Sequence, residues 1–433
     1  MLMTGASACS VKLPNLSFTP NNPTQNNPNP DDNDPDGSNP VNPNPDGNDP
    51  DGSDPVNPNP DGNDPDGSDP VDPNPDGNDP DGSDPVDPNP DDKDPENPTP
   101  DYSNNTELQV IAIEMRSQYG DSFLIKYGDF EMLVDAGQPG DGEYVQAALK
   151  EFVTDKELDV LMVSHLHADH IGNMKSTSFF DSLNITIKTI VDPNTKADNT
   201  TKRNYVAMRD TFVSRGTKFY SYYDIIKDPS IDTKWFIDET KNVFIEFIES
   251  ATLPTPEKVP SGDFNDSSIV FTLNYLNNKW FFAGDLTDDH ESELVANMKK
   301  LETNGEDYFK ESDYVVYKSC HHGSNGSNGH TLLSYVKPDM IFVMAGIVSD
   351  NKGTGSFKDQ HPYSGALARM KTYTDKIYWS SINGLSIFSS KGNEVSFTAR
   401  GRTVDYYYNG QIVSREAEKL VTIFESKWYL KMN

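Results

Sequence analysis

Short runs of apolar residues, separated by glycine and polar residues, begin near residue 108 and recur to residue 392. Runs of about four to eight such residues predict β-strands. The most apolar is Leu158–Ser164, a nearly continuous run typical of a strand buried on both faces. Strands are predicted at Leu108–Met115, Ser122–Tyr127, Glu131–Asp135, Leu158–Ser164, Ile185–Val191, Val243–Ile248, Ser268–Tyr275, Lys279–Ala283, Tyr314–Lys318 and Met340–Met344.

Helical spacing of apolar residues appears between these strands. It is clear at Val145–Phe152, and helices are also predicted near residues 202–214, 289–301, 329–336 and 363–373. Strands that alternate with helices, with several hairpin pairs among them, predict an α/β sandwich. Residues 401–433 are predicted to add strands or edge material, at Thr403–Tyr408 and Leu420–Tyr429.

The first hundred residues follow a different pattern. From Pro40 the sequence PVNPNPDGNDPDGSD repeats with a period of 15 residues, and each copy offers a single valine. Stacked repeats need an apolar face to bury, so no solenoid is expected. Proline and aspartate at this density predict a disordered, extended spacer over residues 11–104. The spacing of its oxygen-bearing side chains does not match a calcium loop.

Charge divides the chain in the same place. Residues 31–101 contain 23 acidic residues and one lysine, and 23 of the 32 prolines lie between Pro20 and Pro100. Of the formal charge of −33, only −12 belongs to residues 102–433. The composition therefore predicts an acidic linker followed by a mildly acidic globular domain over residues 105–400.

Residues 1–10 contain small, uncharged residues before Cys9 and resemble the end of a bacterial lipoprotein signal. This reading predicts an extracytoplasmic lipoprotein on a bacterial cell surface, with membrane contact only through a lipid on Cys9. The segment lacks a basic region and its apolar stretch is short. The alternative is a plain disordered end with a stray cysteine. Cys320 is the other cysteine, so no disulfide framework is expected.

Histidines supply the first chemical signal. Five of the eight lie in two clusters, and the first cluster is His165-Leu166-His167-Ala168-Asp169-His170, directly after the buried strand. Side chains that alternate along a strand end can converge on one point. Imidazole nitrogens and carboxylates are ligands for zinc and similar transition metals.

The pattern H-x-H-x-D-H after an apolar strand resembles the signature of the metallo-β-lactamase-fold hydrolases. Three further motifs fit in the family's order: Asp135 in LVDAG, Asp285 in WFFAGD, and Cys320-His321-His322-Gly323-Ser324. The resemblance covers roughly residues 108–392 and implies an αββα sandwich of that fold. Weaker strings resemble one branch, the hydrolase domain of ComEC-type competence proteins and their free-standing relatives. These strings are Gln118–Gly120-Asp121, Asn265-Asp266-Ser267, the HHGS motif and His361-Pro362.

The resemblance implies a set of site residues. His165 and His167 would bind a first metal, while Asp169, His170 and either His321 or His322 would bind a second. Asp285 would bridge the two. The implied cofactor is Zn²⁺, as one or two ions, with Mn²⁺ as the alternative.

The sequence departs from the wider family at the first metal. No histidine occurs between His170 and His290, where the family usually supplies a third histidine. Either Asp266 provides a carboxylate ligand, or the first site is weak and favours a harder metal such as manganese. Asp169 and His361 are the catalytic candidates, with His361 as proton donor to the leaving group or, alternatively, as a helix cap. Ser324 and Asn325 are expected to position substrate oxygens.

The implied activity is that of a metallo-hydrolase using a metal-activated hydroxide on a phosphodiester. Nucleic-acid binding should show a basic patch, so the charge of −12 favours a small-molecule or cell-wall phosphodiester, with nucleic acid as the less favoured substrate. An aromatic cage for a cationic head group is one reading of Tyr220, Tyr222, Tyr223 and Trp235; core packing is the other. The alternative functions are a surface-displayed binding protein with a structural or degenerate metal site, and a lactonase or β-lactamase-type acyl hydrolase.

Overall fold

A computed structural model describes residues 102, 104–115, 119–255, 264–302, 306–346, 361–402, 405–408, 411–414 and 418–427. The predicted signal remnant and almost all of the predicted linker lie outside these residues, as does Gln118. The predictions made for them stay predictions.

Two mixed sheets form the centre of the fold. The first has eight strands in the order β15-β14-β1-β2-β3-β4-β5-β6, antiparallel up to β3 and parallel from β3 to β6. Its strands are β1 Leu108–Ala112, β2 Phe123–Tyr127, β3 Phe130–Val134, β4 Glu157–Met162, β5 Thr186–Asp192, β6 Lys218–Ser221, β14 Ser386–Ser390 and β15 Val395–Ala399.

The second sheet repeats this plan with seven strands in the order β13-β12-β11-β10-β9-β8-β7. The strands from β7 to β10 are antiparallel and those from β10 to β13 are parallel. They are β7 Lys234–Asp238, β8 Val243–Ile248, β9 Val270–Tyr275, β10 Asn278–Phe282, β11 Tyr314–Lys318, β12 Met340–Val343 and β13 Ile377–Trp379. A separate hairpin pairs β16 Asp405–Tyr408 with β17 Gln411–Ser414.

Helices join the parallel strands and cover the sheets. Apolar residues three and four positions apart, Val145, Ala148 and Leu149, bury one face of the first helix. The helices are α1 Gly142–Phe152, α2 Ala168–Ile171, α3 Ser178–Asp181, α4 Thr200–Ser214, α5 Tyr222–Lys227, α6 Glu291–Lys299, α7 His330–Val336, α8 Ser364–Lys371 and α9 Ser380–Asn383. None of the described helices is long and apolar enough to cross a bilayer.

The period of two along β10 shows how the layers pack. Trp280 and Phe282 belong to the core that the two sheets share, whereas Phe281 and Ala283 belong to the core beneath α6, α7 and α8. β10 therefore contributes to two apolar layers. The predicted fold class, an α/β sandwich of αββα type, is confirmed.

Two of the readings that the sequence left open are not observed. Residues 420–427 form turns and no strand, so the strand predicted at Leu420–Tyr429 does not form in its described part. The aromatic cage does not form either, because Tyr220, Tyr222 and Trp235 are buried in the core. The hydroxyl of Tyr222 donates to the carbonyl oxygen of Ile248 and accepts from the N–H of Ser250 at 3.0 Å, so it is held in place internally.

Candidate metal centre

The candidate site lies where strands of both sheets end. β4 ends at Met162 just before the histidine motif, and β10 and β11 end just before Asp285 and His322. Because β3–β4 and β10–β11 are parallel pairs, loops after their carboxyl ends emerge at the same edge. The topology therefore brings together residues that are more than a hundred positions apart in sequence.

Four of the predicted residues converge here, namely Asp169, His170, Asp285 and His322. Oδ2 of Asp285 lies 3.2 Å from Nε2 of His170 and 3.1 Å from Nε2 of His322. Oδ2 of Asp169 lies 3.1 Å from the same His322 nitrogen and 3.9 Å from that of His170. We call these four residues the donor cluster.

The spacing and chemistry of the donor cluster fit a divalent cation. Ligands about 2.0–2.2 Å from zinc are separated by about 3.3–3.6 Å along the edges of a tetrahedron. The four separations in the cluster, between 3.1 and 3.9 Å, are close to that length. Two imidazole nitrogens and two carboxylate oxygens suit zinc, and also suit manganese. His170 and His322 would hold the cation with Asp169 and Asp285.

A partner at Nδ1 orients each of the two imidazole rings of the donor cluster. Nδ1 of His170 lies 2.7 Å from Oδ2 of Asp135, and Nδ1 of His322 lies 2.9 Å from the carbonyl oxygen of Met344. A ring that donates its Nδ1–H in this way turns the Nε2 lone pair toward the cation. Asp135 is itself held by Ser164, whose N–H and hydroxyl donate to it at 2.8 and 2.6 Å. The groups around the donor cluster therefore hold its two imidazole rings in place.

Buried charges determine the protonation of the cluster. Burial opposes the charged form of His322 and of His170, but neighbouring carboxylates, Asp285 first among them, raise both pKa values well above the ordinary value. Burial likewise opposes ionisation of Asp285, yet His322, His170 and Lys318 hold its pKa well below the ordinary value. Protons on the two imidazoles therefore balance the carboxylates, and a divalent cation would replace those protons.

The residues predicted for a first metal are less tightly grouped. Nε2 of His165 lies 3.1 Å from Nδ1 of His167 and 4.0 Å from Oδ2 of Asp285. His165 is fully buried, and burial holds its pKa well below the ordinary value. The two histidines are adjacent to the donor cluster and share Asp285 with it. Their role as ligands stays a prediction.

Asp266 has other partners. Its Oδ1 accepts a hydrogen bond from the hydroxyl of Thr287 at 2.6 Å and lies 3.1 Å from Nδ1 of His290. The structure does not bring it into the donor cluster. Its assignment as a ligand stays a prediction without geometric support among the described residues.

The two neighbouring histidines of the HHGS motif point to different places. His322 is buried in the donor cluster, whereas His321 is 27% exposed and its Nε2 lies 4.0 Å from Oδ2 of Asp285. Both residues have a left-handed backbone, with φ of 47° for His321 and 53° for His322. The choice between them that the sequence left open therefore falls on His322 by placement.

His361 lies beside the cluster. Its ring centroid is 5.6 Å from that of His321 and 4.8 Å from that of Tyr119. Among the described residues, neither ring nitrogen has a hydrogen-bond partner, and the N-cap of α8 is Tyr363 instead. The helix-cap reading of His361 is therefore not observed. Burial, with the nearby His322 and His321, lowers its pKa to about 3.

The two residues predicted to bind substrate lie in the loop after His322. The N–H of Ser324 donates to the carbonyl oxygen of His321 at 2.7 Å, and the residue is half-buried. Asn325 is exposed, and its carbonyl oxygen accepts a hydrogen bond from Arg369 at 2.6 Å. Their substrate contacts stay predictions.

Two buried residues at the site were not predicted. Lys318 ends β11 and forms an ion pair with Asp121, next to Asp285 and His322. Asp121 was noted only within a family-like string, and Lys318 only as the end of a strand. A lysine ending an otherwise apolar strand just before a histidine motif was the available signal.

Part of the chain matches a model of a known protein family. A model described as the metallo-beta-lactamase superfamily matches residues 116–176, which include the complete H-x-H-x-D-H motif. No curated protein matches the chain.

Solved structures similar to this chain include the following three proteins. The metallo-beta-lactamase fold protein YhfI from Bacillus subtilis is 13% identical with a TM-score of 0.37, covering 67% of this chain and 99% of its own. The short form of human tRNase Z is 10% identical with a TM-score of 0.32, covering 63% and 91%. A diphosphatase of the PhnP family is 12% identical with a TM-score of 0.28, covering 54% and 85%. The family model matches the part of the chain that carries the histidine motif, and the chain has two mixed sheets. The fold is therefore the metallo-β-lactamase fold, with a buried His/Asp site at the ends of its strands.

Proposed function

We propose that this protein is a metal-dependent hydrolase of phosphodiesters. The observation that carries the proposal is the donor cluster, in which two imidazole nitrogens and two carboxylate oxygens, with four of their separations at 3.1–3.9 Å, meet beyond the ends of three strands. A bound divalent cation supplies Lewis acidity, lowering the pKa of water from 15.7 to about 7 and stabilising charge on a phosphoryl oxygen.

The chain's own residues provide the arrangement around that chemistry. Asp135 and the Met344 carbonyl fix the rings of His170 and His322. Cys320, whose thiol is a potential nucleophile, is fully buried, and burial raises the pKa of this thiol to about 12. Its thiol therefore stays protonated at neutral pH, which supports water as the nucleophile.

His361 is proposed to donate a hydrogen bond to the leaving group. Its lowered pKa keeps the ring neutral at neutral pH, so one nitrogen donates and the other accepts. The edge of Tyr119 and the ring of His321 border it, and its nitrogens have no partner among the described residues. A substrate oxygen would satisfy one of them.

The phosphodiester class rests on the ComEC-like strings, HHGS and His361-Pro362 among them. The charge of −12 over residues 102–433 disfavours long nucleic acid, so we propose a small-molecule or cell-wall phosphodiester. Attachment to a bacterial cell surface through Cys9 is part of the same proposal. Partition of the native protein into detergent, but not of a Cys9→Ser variant, would support the attachment, and equal partition would refute it.

Activity of the metal-loaded protein tests the function. Bis-p-nitrophenyl phosphate, p-nitrophenyl phosphorylcholine, single-stranded DNA and a cephalosporin separate the substrate classes. Asp169→Ala should lower kcat/KM on the preferred phosphodiester by at least about 100-fold, because it removes a donor and a catalytic carboxylate. Asp181→Ala is the matched control, since Asp181 pairs with Arg215 on the surface and its loss should change neither activity nor metal content.

Other outcomes would select the alternatives. Cleavage of the cephalosporin alone would indicate an acyl hydrolase. Bound metal without hydrolysis of any substrate, together with loss of the thermal transition in Asp169→Ala, would indicate a structural metal in a binding protein. Purified protein that takes up neither zinc nor manganese would overturn the proposal.

A further inference from the structure

Lys318 is a buried cation beside the donor cluster. Its side chain is 3% exposed, and taking an ammonium group out of water costs several kcal/mol unless other groups replace the hydration. Asp121 forms an ion pair with it, and the carbonyl oxygen of Gly284 accepts a hydrogen bond at 2.7 Å. Oδ1 of Asp285 lies 3.4 Å from the same ammonium. The partners of Lys318 therefore include a residue of the donor cluster.

The two oxygens of Asp285 face different partners. Oδ1 faces the Lys318 ammonium, whereas Oδ2 lies 3.1 Å from His322 and 3.2 Å from His170. The backbone N–H of Asp285 donates to the hydroxyl of Ser268 at 3.0 Å, which fixes the start of the side chain. A freely rotating carboxylate can offer both oxygens to one cation. A cation at Oδ2 of Asp285 would share this carboxylate with the Lys318 ammonium at Oδ1.

Asp121 extends the ion pair to two more members of the cluster. Its Oδ1 lies 3.3 Å from Nδ1 of His322, and its backbone N–H donates to the carbonyl oxygen of Asp169 at 3.3 Å. These contacts use atoms other than the donor atoms of the cluster. Lys318 and Asp121 together therefore touch three of the four donor residues without competing for the cation.

We propose that Lys318 and Asp121 form a positioning pair, which holds Asp285 as a one-oxygen ligand and keeps a carboxylate against the ring of His322 that the Met344 carbonyl orients. The inference rests on the proposed function, because the pair acts only on the binding of the cation. Both side chains are 3% exposed, so they do not contact substrate. The ammonium also offsets part of the negative charge that the buried carboxylates bring together.

Binding of Co²⁺ to the full-length protein tests the pair, because its visible spectrum reports coordination number as well as affinity. Lys318→Met and Asp121→Asn should each weaken Co²⁺ binding by about 10–100-fold, as expected for groups that orient metal ligands. Lys318→Met should also weaken the visible absorption, because Asp285 can then offer two oxygens and raise the coordination number. The matched control is Lys202→Met, which removes another buried ammonium whose ion pair, at 2.9 Å, is with Asp198.

The double variant makes the test specific. If Asp121 acts together with Lys318, the double variant should bind Co²⁺ more tightly than the sum of the two single losses predicts. Additive losses would show that the two residues act separately and would overturn the pair. Wild-type affinity and spectrum in Lys318→Met, or an equal loss in Lys202→Met, would also overturn it.

Two further outcomes are distinguishable. If Lys318→Met does not fold, the nearly isosteric Asp121→Asn decides by affinity alone, and wild-type affinity in that variant refutes the inference. If the wild-type protein takes up neither Co²⁺, zinc nor manganese, the proposed function is refuted and the inference with it; if it takes up zinc but not Co²⁺, zinc affinity by competition with a chelator decides between the variants instead.

Discussion

At the scale of single residues, the backbone decides which of two adjacent histidines joins the site. His321 and His322 both adopt the left-handed conformation, which costs about 1–3 kcal/mol for a residue with a side chain. In this backbone conformation the ring of His322 lies in the donor cluster, whereas the ring of His321 is partly exposed beside it. The surrounding loop must stabilise this strained backbone. Because only His322 lies in the donor cluster, the two positions should respond differently to the same substitution.

Replacing each histidine with asparagine tests this difference, because asparagine tolerates the left-handed backbone. His322→Asn should weaken zinc binding by at least about 100-fold, since it removes a buried ligand nitrogen. His321→Asn should leave zinc affinity nearly unchanged. Competition with a chromophoric chelator measures both. Greater loss in His321→Asn than in His322→Asn would show that the assignment by placement is wrong.

The protonation of the cluster predicts how zinc affinity depends on pH. The pKa values of His170 and His322 are raised well above 6.5, so both rings carry protons at pH 7 in the metal-free protein. These protons stabilise the fold at low pH, and that stability is lost as pH rises through the folded-state pKa values. Zinc must displace them, so its affinity should rise with pH by up to about two log units per pH unit.

Titration of zinc between pH 6 and 8 in weak buffer measures this dependence and the protons released. His322→Asn should lower the slope by about one, because it removes one of the two protonated rings. Affinity that does not change with pH, or that falls as pH rises, would contradict the protonation of the cluster.

At the scale of elements, the loop after β11 is held by one buried amide. Oδ1 of Asn328 accepts hydrogen bonds from the N–H of Cys320 at 2.8 Å and from the hydroxyl of Tyr317 at 3.1 Å. Its Nδ2 donates to the carbonyl oxygen of Cys320 at 2.9 Å. The side chain is fully buried and spans the base of the loop that carries His321 and His322. It therefore stabilises the strained backbone there.

Asn328→Ala should lower the free energy of unfolding by about 2–4 kcal/mol, because several buried polar groups lose their partner. Zinc binding should weaken as well, since the loop loses its anchor. Asn325→Ala, in the same loop but exposed, is the stability control and should change the free energy by less than about 0.5 kcal/mol. Chemical denaturation of the metal-free protein measures both, and equal losses would contradict the anchoring role.

Elements were predictable where burial is strong and local. The strand at Leu158–Ser164 and the helix at Val145–Phe152 follow from apolar spacing alone, and both form as β4 and α1. β14 and β15 (SIFSS and VSFTA) contain many small polar residues, so their apolar signal is weak. β14 pairs with the distant strand β1, and β15 pairs with β14 at the edge of the sheet, so their placement depends on a long-range contact that a local pattern does not contain.

At the scale of the whole molecule, the candidate ligands were predictable from the sequence, but the residues that orient them were not. The H-x-H-x-D-H motif and Asp285 were identified because each follows a strand in a motif of recognisable spacing. Lys318 ends β11 and Asp121 precedes β2, so the two residues lie far apart in sequence. They meet because the two sheets pack together at the site. Such pairs depend on the packing of sheets, which no local spacing encodes.

The repeats before residue 102 are predicted to act as a spacer that contributes neither to folding nor to catalysis, because each offers a single valine to bury. The chain from residue 102 onward should therefore keep the Tm and the kcat/KM of the full chain. Its radius of gyration should be about 20 Å, as for a compact domain of that length. The radius of gyration of the full chain should clearly exceed about 22 Å, which is the value expected if all its residues packed together. Small-angle scattering and thermal unfolding of both chains measure these quantities. A full chain near 22 Å, or a shortened chain with a lower Tm, would show that the repeats pack on the domain, and the separation of the chain into spacer and enzyme would then be wrong.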